Sequence, residues 1–236
     1  MANPRLNLRT NLRTMLLALA WQVATVGQGL TIVTKYVPAG ETIPSVGVAQ
    51  AQPDNTVGGG DLPSIVRAAA DAWEALIHDS WTLTIEYGWY PTDPISQTAY
   101  HQGVSAGGAP QRETSGSIAF NSQYSRTQPL YLDPTPAASE EFAWSQQKFA
   151  DLGGGLVEIQ RDMTGTTPEA LNSYDLYSIA LHELGHALGL VGWAFFNSET
   201  ADGDIDVVSG QFAETVIPTS AAHLAVVGPL MSSTAR

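Results

Sequence analysis

The run His182-Glu183-Leu184-Gly185-His186-Ala187-Leu188-Gly189 constrains this chain more than any other stretch of it. Leu176, Ile179, Ala180 and Leu184 recur at helical spacing through and ahead of it, so the run belongs to an α-helix. That helix is expected to begin near Asn172 or Ser173, to carry Asp175 in its first turn, and to stop near Leu188 at Gly189. His182 and His186 then stand one turn apart on one face, where two imidazoles can hold a single Zn²⁺ with Glu183 beside it. Two ligands do not complete such a site. The chain beyond Gly189 must therefore fold back and bring a third.

Composition narrows the choice of donor. The 236 residues include no cysteine, which excludes thiolate ligands, disulfides and cysteine nucleophiles and leaves imidazole and carboxylate. An apolar content of 44% supports a substantial core, expected as one domain with a cleft between two lobes. The formal net charge of -13 argues against nucleic acid or an anionic membrane surface as the main partner. No stretch approaches the roughly 20 apolar residues that span a bilayer. Oligomeric state is not legible in the sequence.

In residues 1–25, Arg5, Arg9 and Arg13 precede Met15-Leu16-Leu17-Ala18-Leu19-Ala20, and Ala18-x-Ala20 resembles a signal-peptidase site. This leader reads either as a secretory signal, which would make the protein secreted or extracellular, or as a basic, frayed segment before the first strand.

Farther along, the β-branched Leu30–Tyr36 reads as a strand, followed by a Pro/Gly-rich loop through Gly58-Gly59-Gly60. Asp61 is placed as an N-cap and Pro63 in a first turn. Ile65, Val66, Ala69, Trp73, Leu76 and Ile77 then give an amphipathic helix over residues 62–78, expected to set its Trp73 face on a sheet. Alternation of Trp81, Leu83, Ile85 and Tyr87 with Thr82, Thr84 and Glu86 predicts a strand with one buried face. Residues 90–113 read as a long surface excursion, 117–121 as a short strand, and 122–147 as irregular chain with one helical turn over 140–147. Gly153-Gly154-Gly155 is a turn entering a strand over 156–159. These glycines lack the following lysine or GxGxxG spacing of a phosphate loop.

The segment from Asp175 to Leu190 resembles the active-site helix of the metzincin zinc metallopeptidases, especially matrixin-like bacterial proteins. Gly228-Pro229-Leu230-Met231-Ser232 resembles their Met-turn, in which the methionine, here Met231, lies beneath the metal. The commonest extended motif has its third histidine three residues after the glycine, where this chain has Gly192. Metzincins of the leishmanolysin type tolerate an insertion there. Resemblance to them implies His223, eight positions ahead of Met231, as the displaced third ligand, with residues 193–219 as the insertion. Glu214 and an aspartate stand as alternatives. Glu214 follows His186 at an interval near that at which gluzincin peptidases supply a glutamate, although Gly210-Gln211-Phe212-Ala213-Glu214-Thr215 is short for a helix before Pro218. Asp202, Asp204 and Asp206 alternate around Gly203, and their hard oxygens suit Ca²⁺ better than Zn²⁺. His78 and His101 have no ligand partner at helical spacing and read as structural or surface residues.

The resemblance implies that residues 26–236 form a metallopeptidase domain, with an upper lobe over 26–191 and a lower lobe over 192–236. Its fold would be α+β: a twisted mixed β-sheet with a backing helix and an active-site helix, and a small irregular C-terminal lobe. The activity implied is zinc-dependent endoproteolysis of protein or peptide substrates, with Glu183 as general base and no covalent intermediate. An edge strand such as 117–121 would pair with the substrate backbone. Family members normally continue from the Met-turn into a helix, whereas this chain stops at Arg236, which reads as a truncated or minimal lower lobe; Ser233 stands where some members place a tyrosine ligand. Gly192 and the short terminus motivate an alternative, a non-catalytic metal-binding interaction domain derived from such a peptidase. A soluble α/β binding domain without zinc is a third reading.

Overall fold

The computed structural model describes residues 29–92, 97–124, 128–190, 192–210 and 212–225; the expected leader over 1–25 and Met231 lie outside them. The architecture is α+β. Its centre is a four-stranded mixed sheet in the order β1 (Leu30–Tyr36), β5 (Trp81–Tyr90), β7 (Arg112–Asn121), β6 (Ala99–Gly107), with β1, β5 and β7 parallel and β6 antiparallel at one edge. Two longer helices, α1 (Leu62–Leu76) and α3 (Leu176–Ala187), cover one face. Leu83, Ile85, Tyr87 and Trp89 of β5 alternate onto that face, as the period of two requires. They meet Ile65, Val66, Ala69 and Ala70 of α1 and Leu176, Ala180, Leu184 and Ala187 of α3 in one continuous core. A smaller cluster of Val37, Ile43 and Ala49 covers part of the opposite face, in a loop that carries the short pair β2 (Thr42–Ile43) and β3 (Gly47–Val48).

Helix α1 begins where its sequence places it. The Asp61 carboxylate accepts from the Ser64 backbone N–H at 2.8 Å, and the proline occupies the first turn. Its apolar stripe lies against the sheet as expected, with Trp73 half-buried against that core. The Trp73 indole N–H donates to the Leu181 carbonyl at 3.0 Å, so this side chain ties α1 to α3. An indole packed half inside needs a partner for its one polar atom, and the Leu181 carbonyl of α3 supplies it.

Three expectations are corrected. Residues 90–113 are not a surface excursion, because β6 occupies 99–107 and forms a hairpin with β7. The strand expected at 117–121 begins at Arg112 and is interior, between β5 and β6, so it offers no free edge to a substrate. Residues 142–151 are a strand, not a helical turn: β9 (Phe142–Asp151) pairs antiparallel with β10 (Leu156–Gly165) in a mostly exposed ribbon, turned at Gly153–Gly155. Both missed strands are rich in Ser, Gln, Lys and Gly and bury little, so they lack the apolar alternation that reveals a half-buried strand.

A three-stranded parallel set, β4 (Thr56–Val57), β8 (Leu130–Tyr131) and β11 (Tyr174–Asp175), leads into α3 just after the one-turn helix α2 (Pro168–Leu171). Beyond α3 the chain is more regular than expected. A short helix α4 (Ala194–Glu199) precedes an antiparallel sheet of β12 (Asp204–Val207), β13 (Thr215–Ser220) and β14 (His223–Leu224). Among the described residues no helix is long and apolar enough to cross a membrane.

Candidate metal centre

Helix α3 is fixed at both ends. Asp175 is its N-cap, one position ahead of the first helical residue. Its two carboxylate oxygens accept from the backbone N–H of Tyr177 at 3.1 Å and of Ser178 at 3.0 Å, and from the Ser178 hydroxyl at 2.6 Å. Burial raises this carboxyl above its ordinary value, and the three donors act against that rise.

At the other end the backbone N–H of Leu190 donates to the Gly185 carbonyl at 3.3 Å and that of Gly189 to the His186 carbonyl at 3.1 Å. This is a Schellman closure, and Gly189 at φ 145° supplies a backbone conformation that a side chain would resist. The closure returns the Leu190 carbonyl to the helix, where it accepts from His186 Nδ1–H at 2.5 Å. With Nδ1 carrying the proton, His186 Nε2 keeps a lone pair for a metal.

Leu176, Ala180, Leu184 and Ala187 are buried against the core, which turns His182 and His186 outward on the other side. His223 arrives from the sheet of β12, β13 and β14. It opens β14 opposite Ser220, across a tight turn in which Ala221 has φ 51°. The ring centroids of His182 and His186 are 4.8 Å apart, those of His186 and His223 4.9 Å, and those of His182 and His223 5.3 Å. One ring nitrogen from each lies within 4.8 Å of the others. His182 Nε2 and His186 Nε2 are 3.2 Å apart. Bonds of about 2.0–2.1 Å at a tetrahedral angle put two ligand nitrogens about 3.3 Å apart, so the pair is already spaced for one shared ion.

Electrostatics favour the form of imidazole that binds metal. Burial, with His182, His223 and His101 adding to it against the Leu190 bond, lowers the His186 pKa to about 4. Desolvation and His182 lower that of His223 as well. Both rings are therefore held towards the neutral state at neutral pH, with nitrogen lone pairs available. Glu183 lies buried beside them at 6% exposure. Burial pushes its carboxyl up to about 8, opposed by a hydrogen bond from the backbone N–H of His101.

His101 is the residue that the sequence hides. It comes from β6, its side chain is buried, and its ring stacks on that of His186 with centroids 6.5 Å apart and 22° between planes. Its Nε2 is 2.7 Å from Oε1 of the buried Glu113. The other Glu113 oxygen accepts from the Trp193 indole N–H at 3.2 Å. These residues come from two strands and a loop far apart in the chain, so no motif spacing joins them.

The competing donors go elsewhere. Glu214 sits in a turn at φ 73° and is outside the histidine group; its backbone N–H donates to the Val207 carbonyl at 2.8 Å. Asp202, Asp204 and Asp206 bring carboxylate oxygens within 4.8 Å of one another at the start of β12. Desolvation and then mutual repulsion raise the Asp204 carboxyl. The trio is largely exposed, and exposure of that kind is common for acidic turns without a cation. His78 is likewise outside both groups. The residues present fit a single metal ion held by His182, His186 and His223, a donor set whose geometry and neutral nitrogens leave the metal itself unspecified. No family model, curated protein or solved structure matches the chain.

Proposed function

We propose that the protein is a zinc-dependent endopeptidase of metzincin type that hydrolyses peptide bonds in proteins or peptides. The observation that carries this reading is the convergence of three imidazoles from two elements beside a buried glutamate. Three nitrogens leave one position of a tetrahedral ion open, as catalytic zinc sites do. Zinc, when bound, acidifies a water and polarises the carbonyl of the bond to be cleaved.

Glu183 supplies the proton traffic. Its carboxylate removes a proton from the attacking water and returns it to the nitrogen of the departing amine, so the peptide bond is cleaved without an acyl-enzyme. A carboxyl that burial lifts to about 8 and a cation draws down can exchange a proton near neutral pH. Leu190 keeps His186 in the ligating tautomer, and the His101 backbone N–H holds the Glu183 carboxylate in place. Strand β6, not β7, is the sheet edge beside α3, and its outer side is the place for an extended substrate to pair. The basic and apolar leader supports export from the cell.

Replacement Glu183→Ala tests this function. The variant is expected to bind zinc as the wild type does and to lose cleavage of a peptide library by at least about a hundredfold. Undiminished cleavage by the purified variant would refute the assigned chemistry. Stoichiometric zinc without any turnover by the wild type would establish instead a non-catalytic metal-binding domain.

A further inference from the structure

We infer that Glu113 is a positioning residue, a buried carboxylate that holds both the proton-transfer group and a metal ligand of the histidine site through one clasp. This inference rests on the peptidase reading for its kinetic consequences, but not for its effect on the metal.

The Glu113 side chain is fully buried, and the proposed hydrolysis makes no direct use of it. Oε1 is 2.7 Å from His101 Nε2 and Oε2 is 3.2 Å from Trp193 Nε1, while the Glu113 carbonyl accepts from the Trp81 indole N–H at 2.8 Å. A charged group taken out of water is destabilising unless its oxygens are satisfied, and here each oxygen has a partner from a different element.

The fold makes room for it deliberately. Gly103 and Gly116 are directly opposed in the β6–β7 register. A Cβ at Gly116 would stand 2.0 Å from Glu113 Oε1 and 2.9 Å from His101 Nε2. One at Gly103 would stand 2.7 Å from the Trp193 ring and 3.0 Å from Glu113 Oε2. Two facing glycines weaken a strand pair, so the sheet gives up side-chain packing at the one place where the carboxylate lies.

Each arm of the clasp ends at the metal site. His101 is held by its ring, and its backbone N–H donates to Glu183 while its ring stacks on His186. Trp193 is three residues past Leu190, whose carbonyl orients His186. Anchoring Trp193 to the sheet restrains the chain three residues beyond that carbonyl. Glu113 thereby sets the position of the general base from one side and of a ligand imidazole from the other, without touching either.

The test uses the full chain as wild type, Glu113→Gln and Trp193→Phe. Trp193→Phe keeps an aromatic ring and removes one donor, so it serves if the glutamate variant does not fold. Zinc affinity is measured by competition with a chelator, the visible spectrum is recorded with Co²⁺ in place of zinc, and kcat and KM are measured on one peptide. The expected result is weaker metal binding by about ten- to a hundredfold, a changed Co²⁺ spectrum, and a fall in kcat with little change in KM. A variant that melts at a lower temperature yet keeps wild-type affinity, Co²⁺ spectrum and kcat would show a purely structural role and overturn the inference. If the wild type cleaves no peptide, the peptidase reading fails, while the affinity and the spectrum still decide the role of Glu113.

Discussion

The fold strongly alters the chemistry of Glu183. Its carboxyl, ordinarily near 4.5, is pushed up to about 8 in the metal-free chain. A raised pKa means that the folded state holds the proton more tightly than the unfolded chain. The corresponding stability is fully present below about 4.5 and is lost as pH rises through about 8. Metal-free wild type should therefore lose melting temperature between pH 5 and pH 8.5 more steeply than Glu183→Gln, whose amide cannot titrate. Equal slopes in thermal melts would show that burial does not act on Glu183 in this way. His186 runs in the opposite sense: its pKa is lowered to about 4, so its contribution is complete above about 6.5 and disappears as pH falls through about 4. Between pH 6.5 and 8.5 the glutamate comparison is free of it. At this scale the histidine pair was legible because both imidazoles lie on one helix. His101 and Glu113 were not, since their meeting depends on hairpin pairing and on a loop eighty residues beyond Glu113.

Helix α3 turns local sequence into site geometry. Asp175→Ala removes the cap of the helix and leaves the N–H groups of Tyr177 and Ser178 without their partner, at a cost of about 1–2 kcal/mol. Urea unfolding should show a lower midpoint with an unchanged slope; an unchanged midpoint would mean that water replaces the cap at no cost. Gly189→Ala acts at the other end. It strains the φ 145° backbone of the closure and should weaken zinc binding as well as stability, because the Leu190 carbonyl that orients His186 moves with it. A variant that is destabilised but binds zinc with wild-type affinity would contradict that link. Elements with strong periodicity were readable in advance: α1 from its apolar stripe and Asp61 cap, β1 and β5 from β-branched and alternating residues, α3 from its motif. The start of β10 was readable from Leu156-Val157-Glu158-Ile159 after its glycine turn, but β6 and β9 were not, because exposed Ser, Gln and Lys give no signal of the strand that backbone pairing stabilises.

Across the whole molecule, the site exists only if two parts of the chain are held together. The four-stranded sheet with α1 and α3 supplies His182 and His186, and the sheet of β12, β13 and β14 supplies His223. The turn between β9 and β10 joins that sheet to the rest. The Val216 backbone N–H donates to the Leu152 carbonyl at 2.8 Å, and Gly154 lies so close that a Cβ there would stand 2.4 Å from the Ala213 carbonyl oxygen. Gly154→Val should therefore push the sheet of β12, β13 and β14 away and weaken zinc binding at least tenfold, with α3 and its core intact by circular dichroism. Unchanged affinity would show that the ribbon does not position His223. This dependence explains why the identity of the third ligand stayed open in the sequence, with Glu214 and an aspartate beside His223. The choice is made by long-range packing that leaves no periodic trace, and the structure brings His223 to the pair while keeping Glu214 in a turn.

His182, His186 and His223 together form the proposed site for one metal ion. Metal content and affinity of the purified full chain test it directly, with wild type compared with His223→Ala after removal of adventitious metal. The wild type is expected to hold one zinc per chain and the variant to bind it at least a hundredfold more weakly. One zinc bound by His223→Ala with wild-type affinity would contradict it.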